Sequence, residues 1–89
     1  MTRILIVDDE TQIRRALDIN LRAHGYDVAL AATGEEALTE AAAALPDLVL
    51  LDLGLPGLDG VDVIRGLRGW TSVPIIVVLT LSVRRITCT

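Results

Sequence analysis

The 89-residue chain predicts an α/β domain: a doubly wound parallel sheet of four strands with three helices. Three observations lead there. Short apolar runs alternate with segments of three-four periodicity, cap and turn residues separate the two kinds, and acids gather just past the ends of the apolar runs. Continuous apolar runs are the mark of strands buried on both faces. Right-handed crossovers of helical length then force successive strands to lie parallel, with helices on both faces.

The first strand is RILIV, Arg3 to Val7. From Thr11, positions Ile13, Ala16, Leu17, Asn20/Leu21 and His24 share one helical face, and Gly25 supplies a left-handed stop. YDVALA is the second strand, and Thr33 with Glu36 has capping-box spacing at the start of an alanine-rich helix expected to run to Leu45, before Pro46. DLVLL, Asp47 to Leu51, is the third strand. Beyond a glycine-rich loop, Asp59 can cap a helix whose inner face holds Val61, Ile64 and Leu67; Gly66 weakens it slightly and Gly69 stops it. VPIIVVLTL, from Val73, is the fourth strand, with Pro74 at its beginning, where a missing amide is tolerated. The expected division is a unit over residues 1–80 and a tail over 81–89, LSVRRITCT, with neither periodicity nor turn chemistry.

Composition narrows the function classes. A chain of this size buries only about 60 to 65% of its unfolded surface, so its core has little margin, but 52% hydrophobic residues and a mean hydropathy of +0.54 suffice for a folded domain. The longest apolar stretch, around Ile75 to Leu81, is far too short to span a bilayer. No secretory signal pattern opens the chain, and the single cysteine, Cys88, reads as an incidental thiol; both fit the cytoplasm. Twelve acids against eight bases, a net charge of −4, disfavour a nucleic-acid surface. All eight bases are arginine.

In open α/β sheets the ligand crevice lies beyond the carboxyl ends of the strands. Asp8 and Asp9 follow the first strand and Asp52 follows the third, so the three carboxylates converge if those strands are neighbours. Such a cluster is tolerable when its acids are solvated, protonated or bound to a cation. Magnesium suits them best, as a hard ion that takes one or two carboxylates, keeps waters and shares positions with phosphate oxygens. The carbonyl of Gly54 could complete its shell. Taken singly, Asp9 with Gln12 also has capping-box spacing, and Asp52 in Asp-Leu-Gly is ordinary turn material.

ILIVDDE together with LVLLDLGLPGLDG strongly resembles the receiver domain of bacterial two-component response regulators, which has a flavodoxin-like fold. DLGLPGLDGVDVIRGLRGW followed by VPIIV is most similar to the Kdp-type, potassium-responsive regulators of the winged-helix class. The resemblance runs from Arg3 to about Val78 and covers some two-thirds of a receiver. It implies that Asp52 accepts a phosphoryl group from a sensor histidine kinase. It further implies that Asp9 ligates magnesium directly, Asp8 largely through water and Gly54 through its carbonyl, making the chain a phosphoacceptor signalling domain rather than an enzyme.

The resemblance also has departures. Thr80 lies one residue farther from the proline than the family's switch hydroxyl, and a one-residue slip turns a strand side chain to the opposite face unless a bulge corrects it. The family's fourth helix, fifth strand, fifth helix and DNA-binding output domain have no counterpart, and no lysine is present. Arg84 and Arg85 differ in geometry from the family's lysine. The fourth strand is therefore expected to be an apolar edge that favours self-association. His24 reads as a solvated or partly packed helix-end residue, Trp70 as packing over the junction of third helix and fourth strand, and Arg14, Arg15 and Arg22 as a solvated face or a kinase-docking surface.

Phosphoacceptance is the leading reading. The rival is a truncated, non-signalling fragment that only binds a kinase or pairs with another receiver. A hydrolase of the aspartyl-phosphate type is disfavoured, because the second acid such enzymes place two residues after the nucleophile is Gly54 here.

Overall fold

In the computed structural model, residues 2–52 and 60–78 are described. The order is β1 (Arg3–Val7), α1 (Thr11–Ala23), β2 (Asp27–Ala31), α2 (Gly34–Ala43), β3 (Leu48–Asp52), α3 (Gly60–Arg68) and β4 (Ile75–Val78). The strands form one sheet in the order β2-β1-β3-β4, and every pairing is parallel. The doubly wound α/β expectation holds.

Period-two alternation sorts the side chains onto two faces. Leu5 and Val7 of β1 and Val49 and Leu51 of β3 point to one face, where Ala37 and Ala41 of α2 and Val63 and Leu67 of α3 close over them. Ile4 and Ile6 point to the other face with Val28, against Leu17 and Leu21 of α1 and Leu48 and Leu50 of β3. The first face is the deeper core. The second has a single helix among the described residues, α1 has no fully buried residue, and Leu48 and Leu50 remain half-buried.

Several local expectations need correction. Of the apolar face read on α1, only Ile13, Leu17 and Leu21 are partly buried, while Ala16, Asn20 and His24 are exposed; a helix lying over one edge of a sheet needs a narrower stripe than the spacing suggested. Its N-cap is Glu10 rather than Asp9. Gly25 does take the left-handed conformation, with φ +88°. Thr33 Oγ1 accepts from the Glu36 amide at 3.1 Å, but α2 stops at Ala43, because Ala44 is already extended and Leu45 is 57% exposed. In α3 the fully buried positions are Gly60, Val63 and Leu67; of the expected inner face, Leu67 is buried and Ile64 packs partly buried against the core, whereas Val61 is exposed. Gly69 ends the helix without a positive φ. Trp70 is half-exposed. The Asp59 cap, the residues of the fourth strand beyond Val78, and the tail 81–89 lie outside the described residues.

Gly66 has a packing reason. A Cβ there would stand 2.9 Å from Leu38 Cδ2, so the glycine lets α3 lie close against α2.

Candidate acidic site

The β1–β3 ladder places Val7 opposite Leu51, so the next residue on each strand, Asp8 and Asp52, emerges at the same level. Asp52 is the last residue of β3, rather than the first beyond it as DLVLL suggested, and stands opposite Val78 of β4. Both carboxylates are buried, at 3% and 1% exposure. Asp9 is half-buried. Carboxylate oxygens of Asp8, Asp9 and Asp52 lie within 4.8 Å of one another, the convergence expected from the sequence.

Asp8 is held from several sides. Its amide donates to the Ala31 carbonyl of β2 at 3.1 Å. Its Oδ1 accepts from the Glu10 amide at 2.9 Å, which displaces the expected capping role of Asp9: the carboxylate that steadies this turn is that of Asp8. Burial raises the Asp8 pKa above the ordinary 3.8; the Glu10 amide works against this, and the negative charges of Asp52, Asp9 and Glu10 add to it. A small open depression adjoins the acids, lined by Ile6, Val7, Leu17 and Leu50 together with Asp8 and Asp52. The two buried carboxylates thus border an apolar surface on the α1 side.

The donor set fits magnesium: three hard carboxylate ligands at the mouth of a crevice, from two adjacent strands and the turn that follows one of them. Asp8, Asp9 and Asp52 would hold such an ion directly or through water. Gly54 and Thr80 lie outside the described residues.

Reading Arg14 as part of a solvated face missed a neighbour of the site. It is half-buried, and its Nη1 donates to the Asp8 carbonyl at 2.7 Å. Arg15 is exposed as expected, while Arg22 bonds Asp18 and donates to the Val28 carbonyl at 2.9 Å. The signal for Arg14 was its place on the second turn of α1, within a long side chain's reach of the preceding strand end. His24 Nδ1 hydrogen-bonds the Asn20 carbonyl at 2.8 Å, on its own helix.

The sequence profile of the response regulator receiver domain matches residues 4–87. The transcriptional regulatory protein KdpE of Mycobacterium tuberculosis is 57% identical over 77 residues, which are 86% of this chain and 34% of that protein. The KDP operon regulator KdpE of Escherichia coli is 52% identical over 77 residues, 86% of this chain and 34% of that protein. The chain thus spans about a third of the length of these curated relatives. Among solved structures, the Vibrio cholerae chemotaxis protein CheY4 superimposes with a TM-score of 0.84 at 30% identity, covering 98% of this chain and 76% of that one. A structure of histidine kinase ThkA in complex with response regulator protein TrrA matches with a TM-score of 0.83 at 40% identity, covering 96% and 74%. With its sheet order, its acidic crevice and its sequence in agreement, the chain belongs to the response regulator receiver domain family.

Proposed function

We propose that Asp52 is the phosphoryl acceptor of a two-component relay, with a phosphohistidine of a sensor histidine kinase as donor. The observation that carries this is the convergence of Asp8, Asp9 and Asp52 at the carboxyl ends of β1 and β3. A carboxylate oxygen of Asp52 attacks phosphorus in line; the O–P bond forms as the P–N bond breaks, and the electron pair leaves with the imidazole nitrogen, which takes up a proton. Strand β3 fixes the nucleophile, and Asp8 and Asp9 hold the acidic lip. Asp8, Asp9, Asp52 and the Gly54 carbonyl would hold magnesium, which would supply neutralisation of the phosphoryl charge. Thr80 is the candidate switch hydroxyl.

The kinase as partner is supported by the ThkA–TrrA complex, whose fold match extends over most of this chain. No nucleic-acid role is assigned to these residues, given the net charge of −4, and the cytoplasm fits a kinase-coupled domain. No described helix is long and apolar enough to cross a membrane.

A second reading, a passive fragment that pairs with a kinase or another receiver, draws on β4, where Ile76 and Val77 are 50% and 41% exposed. Incubation with phosphoramidate and magnesium followed by intact mass measurement separates the two. Phosphoacceptance predicts one added phosphoryl group, lost in Asp52→Asn. Unmodified wild-type protein would leave the passive reading.

A further inference from the structure

Arg14 bonds the backbone of the acidic turn twice. Its amide donates to the Glu10 carbonyl at 3.0 Å, an opening hydrogen bond of α1, while its guanidinium reaches back to the Asp8 carbonyl at 2.7 Å. Nη2 makes a longer contact of 3.4 Å with Thr11 Oγ1. We propose that Arg14 is a positioning residue of the receiver site: it clamps the peptide that joins Asp8 to Asp9 and so sets the angle between their carboxylates.

The Asp8 carbonyl and the Asp9 amide share one rigid plane. Rotation of that plane redirects the Cα–Cβ bond of Asp9 and swings the Glu10 amide away from Asp8 Oδ1, which it meets at 2.9 Å. Strand pairing holds the near side of Asp8, through its amide and Ala31. Arg14 holds the far side. A short bond from an ionised donor is stronger than a neutral one, and half-burial of Arg14 shields it from competing water. Neighbouring Arg15 is exposed and Arg22 is engaged with Asp18 and Val28, so neither duplicates the contact. Groups that orient ligands are worth about 10- to 100-fold in metal affinity; a partly exposed contact acting through one peptide plane belongs at the lower end.

The inference rests on the metal-binding reading of the acids, and its test separates the two. The 89-residue chain is compared with Arg14→Met, which keeps an apolar stem without donors, and Arg14→Lys, which keeps the charge without the planar fork. Amide NMR shifts are recorded before and during magnesium titration, beside thermal melting. Expected are displaced Asp9 and Glu10 amides in metal-free Arg14→Met, magnesium affinity weakened about tenfold, intermediate affinity in Arg14→Lys, about threefold below wild type, and little change in Tm. Wild-type affinity with unmoved Asp9 and Glu10 amides overturns the proposal, as does a loss of affinity that merely follows a fall in Tm. Should Arg14→Met fail to fold, Arg14→Lys decides by the same criteria. A wild-type chain indifferent to magnesium would refute the metal reading, while the metal-free amide shifts would still judge the clamp.

Discussion

Asp8 and Asp52 leave adjacent strands side by side, one residue past the Val7–Leu51 pair, and both are buried. Two carboxylates so placed cannot both be ionised without cost in the absence of a cation. Burial and the charges of Asp52, Asp9 and Glu10 hold the Asp8 pKa above 3.8. As pH falls, the native state therefore regains the Asp8 proton before the unfolded chain does, and this group's contribution to stability rises. Above the folded pKa the ionised carboxylate is a net cost. Asp8→Asn keeps the acceptor for the Glu10 amide and removes the charge. It should raise the metal-free Tm at pH 7 by roughly 5 °C, or about 1 kcal/mol, and the gap from wild type should narrow as pH approaches 4. A Tm equal to or below wild type at pH 7 would contradict this account.

Magnesium should act in the same sense as removing the Asp8 charge, because a bound cation offsets the repulsion among these acids. At ten times its Kd it adds about 1.4 kcal/mol to a protein that binds it only when folded. Calorimetric melting with and without magnesium should show that gain in wild type and lose most of it in Asp9→Asn. An equal rise in both proteins would point to a nonspecific salt effect.

Gly66 and Leu38 form a coupled pair. Alanine at 66 gains up to about 1 kcal/mol of helix propensity, but its Cβ would meet Leu38 Cδ2 at 2.9 Å, and the leucine must give way. Gly66→Ala alone should fall within about 0.5 kcal/mol of wild type, and in a Leu38→Ala background the propensity gain should emerge. Denaturant unfolding of the four proteins measures the coupling; simple additivity would show that the close contact costs nothing.

Among the described residues β4 forms one end of the sheet, with Ile76 and Val77 substantially exposed. Apolar edges template pairing between chains, and a lysine there blocks it. Sedimentation velocity over a concentration series should show self-association of the wild-type chain, reduced in Ile76→Lys. A monomer at every concentration would remove edge pairing as a property of this protein.

Element order, parallel pairing and the meeting of three acids were legible in the sequence, because each rests on a local rule. ILIV and LVLL are apolar without interruption, Thr33 and Glu36 cap α2 by spacing alone, and acids at the carboxyl ends of neighbouring strands must converge once the strands align. Tertiary structure decided what depends on which surface each element meets. Of the apolar positions expected on the inner face of α1, only Ile13, Leu17 and Leu21 are partly buried, because the helix lies over one side of β1 and β2; Val61 turns outward because Gly60, Val63 and Leu67 form the face that α2 and the sheet cover. Gly66 read as a weakness in α3 until Leu38 occupied the space above it. Arg14 read as a surface cation because its partner is a backbone carbonyl, and the direction of a carbonyl at a strand end is set by chain geometry rather than by residue type.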